Sequence, residues 1–190
     1  MMNDISEIKS YFRDIRLDNC LSKYNFSISD KNIDDKFDFL RGNKKLMKYA
    51  NSIGAILTGS RAIKCYTIDN KSLLKREPND WDFLISKEMA FDIFDKFNID
   101  YNLKDSVVNV NSELITIHPA YSDSVRYLTK DVQFIIKDKL PNYTECSKYK
   151  ITNFDYVINE KIKLASIRSG KKHIKDLNQI IIRLNNINKL

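Results

Sequence analysis

The chain has 190 residues, 43% of them hydrophobic, including ten Phe, ten Tyr and one Trp. This apolar content supports a packed core, with or without a helical appendage, and argues against extensive disorder. Three cysteines far apart in the chain, with two histidines, argue against a disulfide framework or a zinc site and predict a reduced, cytoplasmic compartment. No apolar run approaches the ~18 residues of a membrane span, so no membrane partner is expected.

The positive charge of the chain is unevenly distributed. The net charge is +7, and residues 160–190 contain eight basic residues against two acidic ones. Positive potential concentrated in one segment attracts polyanions. Nucleic acid and nucleoside triphosphate are therefore the expected classes of partner.

The first half of the chain changes from helical to strand-like patterns. Apolar residues recur at helical spacing over residues 4–23 and about 33–50, which predicts two N-terminal helices. Residues 54–58 form a short apolar run, which predicts a buried strand ending in a tight turn at Gly59-Ser60. A helix is expected to begin over residues 61–65, and the polar segment 68–79 predicts a loop.

The second half predicts further strands and then helices. A central strand is expected over residues 80–85, followed by a helix over 87–97 with Ser86 as its N-cap. Further strands are predicted at residues 107–110, 114–118 and 132–136. From Thr152 the pattern is helical, with a break at Ser169-Gly170. The predicted fold class is α+β, a mixed sheet flanked by helices, with N-terminal helices and a C-terminal helical tail. The predicted segments are residues 1–50 (helical), 51–145 (α/β core) and 146–190 (basic helices), forming one compact unit.

Asp80 and Asp82 lie two residues apart on the predicted central strand. Side chains at this spacing point to the same face, so Trp81 points to the other face, into the core. Two carboxylates on one rigid face form half of a Mg²⁺ site, because this ion prefers oxygen ligands and shares them with substrate phosphates. The alternative is a pair of acids on the exposed face of an edge strand.

The Gly59-Ser60 turn is a candidate anion site. Backbone N–H groups at the start of a helix bind phosphate, the Ser hydroxyl adds a donor, and Gly permits close approach. The alternative is an ordinary strand–helix turn. The spacing of a P-loop is absent.

Together these features resemble the nucleotidyltransferase superfamily, in which an apolar strand leads into Gly-Ser and a later strand contains Asp-x-Asp. Here the matching segments are Leu57–Ala62 and Asn79–Phe83. Residues 160–177 are similar to the Lys/Ala/Arg helix and Lys-Asp-Leu helix of minimal and toxin-type members. The resemblance covers roughly residues 50–185 and implies a fold of the nucleotidyltransferase type.

The resemblance also implies a magnesium-dependent site for a nucleoside triphosphate. It assigns Mg²⁺ or Mn²⁺ to Asp80 and Asp82. It assigns the nucleotide phosphates to the turn at Gly59 and Ser60. From its place directly after this turn, Arg61 is a candidate phosphate contact or the partner of a nearby acid. The basic residues of the C-terminal helices are candidates for binding triphosphate or nucleic acid, with a solvated basic face as the alternative: Lys161, Arg168, Lys172 and Lys175. The implied reaction transfers a nucleotidyl group to an acceptor hydroxyl or phosphate and releases pyrophosphate. A nucleic acid, a protein side chain, a small molecule or a nucleotide are all open as acceptor.

Two departures from the family pattern bear on activity. The nineteen residues between Ser60 and Asp80 are more than the family usually has, which predicts an insertion around residues 68–79. The family's third carboxylate would stand at Gln133, which is neutral and a poor Mg²⁺ ligand. Asp131, on the same strand face as Gln133, is the predicted substitute and candidate catalytic acid, with Glu113 as the alternative.

Three hypotheses about function follow. The first is a magnesium-dependent nucleotidyltransferase. The second is a catalytically impaired member that binds nucleotide or nucleic acid. The third is a structural or partner-binding protein. A basic stripe of Lys161, Arg168, Lys172 and Lys175 is expected if residues 160–175 form one continuous helix, although Gly170 would interrupt it.

Overall fold

The computed structural model of the protein describes residues 4–15, 26–29, 31, 44–97, 99–102, 107–110, 113–121, 124–128, 132–167 and 170–187. The described helices are α1 (Ile5–Asp14), α2 (Lys44–Ser52), α3 (Gly59–Cys65), α4 (Lys87–Lys96), α5 (Phe154–Ala165) and α6 (Lys171–Ile187). The first six strands are β1 (Ser27–Ile28), β2 (Ile56–Thr58), β3 (Tyr66–Ile68), β4 (Lys71–Ser72), β5 (Trp81–Ile85) and β6 (Ile99–Asn102). The later strands are β7 (Val107–Val110), β8 (Glu113–Tyr121), β9 (Ser124–Leu128), β10 (Val132–Ile136), β11 (Tyr143–Cys146) and β12 (Tyr149–Thr152).

A nine-stranded mixed sheet forms the centre, in the order β11-β12-β2-β5-β10-β9-β8-β7-β6. Strand β5 pairs parallel with β10 and antiparallel with β2. Because β2 and β5 run in opposite directions, the last residue of β2, Thr58, lies beside Asp82 near the start of β5. The predicted α+β class, with a mixed sheet and flanking helices, is confirmed.

The core draws on the whole length of the described chain. Ile8 and Phe12 of α1, Phe83 of β5 and Leu177 of α6 belong to the same cluster of buried residues. Burying such side chains is worth roughly 1.5–3 kcal/mol each. The N-terminal and C-terminal helices are therefore packed on the core of the sheet, which holds their polar faces in fixed positions.

The segment predicted as a loop over residues 68–79 begins as a hairpin. Strands β3 and β4 pair antiparallel, and β3 also pairs with β1, making a second, three-stranded sheet. Asp69 and Asn70 join the two strands with positive φ values of 50° and 59°. Asn and Asp tolerate this conformation, and two such residues form the tight turn that suits a hairpin. The polar composition of the segment reflected this exposed turn, and the strands on either side were missed.

The predicted cap of α4 is confirmed, while the predicted N-terminal helices are described only in part. Ser86 caps α4, since its side chain accepts a hydrogen bond from the Met89 backbone N–H. Helix α1 ends at Asp14, and residues 16–23 and 33–43 of the predicted N-terminal helices lie outside the described residues. The β11–β12 hairpin was not predicted. None of the helices in the described ranges is long and apolar enough to cross a membrane.

Candidate functional site

Asp80 and Asp82 line the same cavity, which has a volume of about 230 Å³. Trp81, between them, is 2% exposed and packs in the core. The prediction that Asp80 and Asp82 face one side and Trp81 the other is confirmed. Strand β5 lies between β2 and β10, so the alternative of an edge strand is wrong.

Gly59 is required by its place beside Asp82. Its φ is +67°, a region that favours glycine, and Thr58 is the Cα partner of Asp82 across the sheet. A Cβ atom on Gly59 would lie 2.0 Å from Asp82 Oδ2. Both the backbone conformation and the space therefore demand glycine at the cavity wall.

Ser60, Arg76, Lys161 and Asp176 form a connected group, here called the Asp176 cluster. Asp176 is 1% exposed and accepts hydrogen bonds from Arg76 Nε at 2.7 Å, Arg76 NH2 at 2.6 Å and Lys161 Nζ at 2.7 Å. Ser60 Oγ accepts from Arg76 NH2 at 2.9 Å and Lys161 Nζ at 3.1 Å. Two cations thus share one buried carboxylate, leaving one net positive charge beside Ser60.

The charges of the Asp176 cluster stabilise one another. Burial raises the pKa of Asp176, but hydrogen bonds and charge from Arg76 and Lys161 outweigh it, so the pKa lies below its ordinary value. The hydrogen bond from Arg76 to Asp176 raises the pKa of the guanidinium. Burial lowers the pKa of Lys161, against the opposing effects of Asp176 and Asp82. Removing Asp176 would therefore leave two partly buried cations without their shared counter-ion.

Arg76 reaches this cluster from the segment that departs from the family spacing. It follows the β3–β4 hairpin, and its contact with Asp176 spans 100 residues of sequence. Asp176 lies in the Lys-Asp-Leu segment of the resemblance, but neither it nor Arg76 was predicted as a site residue, because their contact depends on how α6 packs. The signal for Arg76 was a lone Arg in a polar segment close to Asp80.

Other cavity-lining residues include Gln133, Glu160, Lys172 and His173. Glu160 on α5 was not predicted as a site residue, and it accepts a hydrogen bond from Lys163 at 2.7 Å. His173 is half-buried, and its Nδ1 is buried with no hydrogen-bond partner among the described residues. Burial lowers the pKa of His173 to about 4, with nearby Lys161 contributing. This imidazole is therefore neutral at pH 7.

The third carboxylate is the weak part of the predicted site. Gln133 is the Cα partner of Asp82 and lines the cavity, so the neutral residue stands where the resemblance expects an acid. Strands β10 and β9 separate Glu113 from β5, which at about 4.8 Å per strand gives roughly 14 Å. Asp131 lies outside the described residues. Within the described ranges, no group of three or more His, Cys, Asp and Glu side chains is placed to hold a metal.

The predicted basic residues fall into three groups. Lys161 and Lys172 line the cavity, Lys175 is exposed and does not, and Arg168 lies outside the described residues. Arg61 does not line the cavity either: its side chain donates to the backbone carbonyls of Asp80 and Pro78, each at 3.0 Å. Its guanidinium also lies 4.3 Å from the Trp81 ring centroid. Arg61 therefore braces the start of β5, a position different from the predicted phosphate contact.

The C-terminal helices are interrupted at Gly170, as expected, so residues 160–175 do not form one continuous basic stripe. Helix α5 ends at Ala165 and α6 begins at Lys171, with Gly170 in the turn between them. A Cβ on Gly170 would lie 2.2 Å from the carbonyl oxygen of Ala165, so the turn is packed closely against α5. Lys161 and Lys172 thus reach the cavity from two helices, brought together by the turn.

The donor set of the cavity fits a divalent cation. Mg²⁺ is commonly held by one or two carboxylates, with water and substrate phosphates completing its six oxygen ligands. Asp80 and Asp82 supply two carboxylates on one wall, and the amide oxygen of Gln133 stands on the neighbouring strand. The residues present therefore fit one shared cation better than a fully protein-bound pair.

Comparison with known proteins gives distant likenesses only. No family model and no curated protein matches the chain. The fold is similar to the crystal structure of JHP933 from Helicobacter pylori, with 17% identity and a TM-score of 0.41, over 85% of this chain and 70% of that one. It is also similar to a candidate nucleotidyltransferase from H. pylori, with 20% identity and a TM-score of 0.34, over 69% of this chain and 60% of that one. Likenesses this distant carry no functional assignment, which has to come from the residues of this chain.

Proposed function

We propose that this chain binds a nucleoside triphosphate with a divalent cation and transfers its nucleotidyl group to an acceptor hydroxyl or phosphate. The observation that carries the proposal is that Asp80, Asp82, Ser60 and Lys161 line one cavity. Carboxylates for a cation and positively charged donors for phosphates are thereby brought together. Polyphosphate chemistry needs both, because its substrate and its cation have opposite charges.

Asp80 and Asp82 would hold Mg²⁺ or Mn²⁺. When bound, the ion neutralises phosphate charge and stabilises the charge that develops on the reacting phosphoryl group. Gly59 keeps the backbone beside Asp82 free of a side chain, and Ser60, Lys161 and Lys172 would face the phosphates. Asp176 holds the Lys161 ammonium in place at 2.7 Å, so its orientation is set before a ligand arrives.

The proposed reaction is an in-line displacement. An acceptor oxygen attacks the α-phosphorus, the bond from that phosphorus to the bridging oxygen breaks, and pyrophosphate leaves with the electron pair. The acceptor proton has to pass to a base. Asp131 is the predicted base, and Glu160 is a carboxylate that lines the cavity.

A second candidate is a catalytically impaired protein that binds nucleotide without transfer. The observation in its favour is the neutral Gln133 directly across the strand pair from Asp82. Gln133→Glu separates the two candidates, because it places a carboxylate at that position. In an impaired protein this change should raise Mn²⁺ affinity and allow transfer, whereas in an active enzyme it should disturb an existing arrangement.

The direct test is incubation with each α-labelled nucleoside triphosphate, Mg²⁺ or Mn²⁺, and candidate acceptors, including RNA, nucleotides and the protein itself. Label transfer is expected for the native chain and should be lost in Asp82→Asn. Asp92→Asn, on the exposed face of α4, is the matched control and should transfer normally. Full transfer by both Asp80→Asn and Asp82→Asn would refute the assignment. Nucleotide binding without transfer favours the second candidate, and no binding favours a structural role.

The start of α6 is the proposed contact for a nucleic-acid acceptor. Lys171, Lys172 and Lys175 are exposed there, next to the cavity. Each phosphate contact contributes about 0.7–0.9 to the slope of log affinity against log salt. Changing all three lysines to Gln should therefore reduce the slope by about 2–3. An unchanged slope would exclude this surface, and a control with Lys87→Gln on α4 should leave it unaltered.

A further inference from the structure

The Ser60 hydroxyl lies between two cationic side chains. Arg76 NH2 is 2.9 Å and Lys161 Nζ is 3.1 Å from Ser60 Oγ. Guanidinium and ammonium groups only donate hydrogen bonds. Both contacts therefore use the serine oxygen as acceptor, and a hydroxyl oxygen has two lone pairs to offer.

With its acceptor positions occupied, the hydroxyl has its own proton left to donate. Within the described part of the chain, the hydrogen bonds of this hydroxyl are the two that it accepts. Ser60 is 8% exposed, and the space it lines is the cavity that contains Asp80 and Asp82. The natural partner of its O–H is therefore an acceptor atom on a molecule that enters the cavity.

We propose that Arg76 is a positioning residue that, with Lys161, turns the Ser60 hydroxyl into an obligate hydrogen-bond donor toward a phosphate oxygen in the cavity. This inference rests on the proposed function and identifies the polyphosphate part of the substrate as the group that Ser60 contacts. It also gives a role to the lengthened segment between Ser60 and Asp80, which carries Arg76.

The shape of the arginine side chain makes this arrangement specific. Arg76 donates from Nε and NH2 to the two oxygens of Asp176, at 2.7 and 2.6 Å, and NH2 also donates to Ser60. A planar fork with several N–H groups can hold the carboxylate and the hydroxyl at once. A lysine at this position keeps the charge but offers a single nitrogen. Arg76→Lys therefore separates positioning from charge.

The charge balance of the Asp176 cluster agrees with an anionic ligand. Arg76 and Lys161 are two cations, and Asp176 is one carboxylate, so the excess positive charge lies next to the Ser60 hydroxyl. Hydrogen bonds to ionised partners are stronger than neutral ones, and a hydroxyl that accepts from two cations is polarised as a donor. Asp80 and Asp82 line the same cavity and act on Arg76 and Lys161, so the site favours a phosphate oxygen that arrives together with a cation.

The test is a double-mutant cycle that measures tripolyphosphate affinity by calorimetry at one fixed Mg²⁺ concentration, because Asp80 and Asp82 line the same cavity and would repel the anion without a cation. The proteins are the native chain, Ser60→Ala, Arg76→Lys and the double variant. Ser60→Ala is expected to weaken binding about tenfold, typical of one hydrogen bond to a charged group. Arg76→Lys should weaken binding several-fold in the native background and less than about twofold when Ser60 is absent.

Glu77→Gln is the matched control. Glu77 follows Arg76 in the same segment and pairs with Lys64, and neither residue is among those lining the cavity, so its loss should leave the affinity unchanged. The thermal unfolding midpoint of every variant establishes that it is folded. If Arg76→Lys does not fold, Ser60→Ala alone decides, because unchanged affinity in that variant overturns the inference.

The outcomes separate the inference from the proposed function. If the fold-changes in affinity from Ser60→Ala and Arg76→Lys multiply in the double variant, the two residues act independently. That result would overturn the inference and leave the proposed function standing. Coupled effects without label transfer in the native chain would support the inference and remove the transfer reaction. A native chain that does not bind tripolyphosphate would overturn the inference, and one that also fails to bind a nucleoside triphosphate with Mg²⁺ would overturn both.

Discussion

The acidic wall of the cavity and the Asp176 cluster are built in opposite ways. Asp80 and Asp82 belong to one short stretch of chain at the start of β5, where extended backbone places alternate side chains on one face. The Asp176 cluster joins Ser60 to Lys161 across 101 residues and Arg76 to Asp176 across 100. One wall is therefore a local property of a strand, while the other exists only in the folded chain.

This difference predicts that the two walls respond differently to mutation. Changes to the acidic pair should alter cation and phosphate chemistry with little effect on folding. Changes to the Asp176 cluster should affect folding first, because a partly dismantled buried ion pair leaves charges without partners. Four substitutions test this contrast, beginning with the one expected to change stability most.

Asp176→Asn should cause the largest loss of stability. It leaves Arg76 and Lys161 without their shared counter-ion, and breaking a buried pair in this way costs about 3–5 kcal/mol. Urea unfolding monitored by circular dichroism measures the change. Asp14→Asn breaks the pair of Asp14 with Arg13, in which the side chains are 68% and 79% exposed, and should cost less than about 1 kcal/mol. Equal losses in the two variants would remove the distinction between the cluster and an ordinary ion pair.

Asp82→Asn should have the largest effect on function. Loss of one group that stabilises developing charge typically reduces turnover by about 10²–10³. Its free energy of unfolding without metal should stay within about 1 kcal/mol of the native value, since the change is isosteric and lies at the cavity wall. Label transfer and Mn²⁺-dependent thermal shift are the measurements. A variant that transfers normally, or unfolds with a much lower midpoint, would contradict the contrast.

Gly59→Ala tests how closely the turn and the acid pair are joined. The added methyl group would meet Asp82 Oδ2, and the φ of +67° is strained for alanine, so a loss of about 1–3 kcal/mol is expected. Gly54→Ala is the matched control, with a φ of +92°. Its Cβ would lie 3.1 Å from Lys150 Nζ, the end of a flexible side chain. Both should be destabilised, but only Gly59→Ala should lose the Mn²⁺-dependent thermal shift.

The smallest expected effect is a pH dependence of the free energy of unfolding, which comes from His173. Its folded pKa of about 4 lies below the ordinary 6.5, so the unfolded chain binds more protons between these values. The stabilisation that the neutral His173 contributes is therefore fully present above pH 6.5 and is lost as the pH drops toward 4. The loss should be on the order of 1 kcal/mol after allowance for solvent screening of this half-buried group. Lys161, Lys172, Arg76 and Asp176 also act on this imidazole.

Unfolding of His173→Gln across the same pH range is the comparison. Its stability should be flatter than that of the native chain between pH 6.5 and 4. The lowered pKa of Asp176 contributes at more acidic values, because its stabilisation is lost as the pH falls through the folded pKa, below 3.8. Identical slopes in the two proteins would show that His173 is not buried as described.

Much of the architecture followed from local pattern. The α+β class, the central strand predicted over residues 80–85 and found at Trp81–Ile85, and the Ser86 cap were confirmed, because strand alternation and capping depend on residues that are close in sequence. The β3–β4 hairpin and the β11–β12 pair were missed. Each is short and polar on one side, so its strands are stabilised by pairing with β1 or β2, a contact that local propensity does not contain.

The order of residues was enough to predict that Asp80 and Asp82 share one face, because extended backbone has a period of two and Asp80 directly precedes β5. It also predicted a glycine turn beside a buried strand. Packing decided three contacts. They are the hydrogen bonds of Arg76 to Asp176, those of Arg61 to backbone carbonyls before β5, and the place of Lys172, on a second helix, beside the cavity. These contacts span long stretches of chain, and burial of the shared apolar core, rather than any local preference, brings them together.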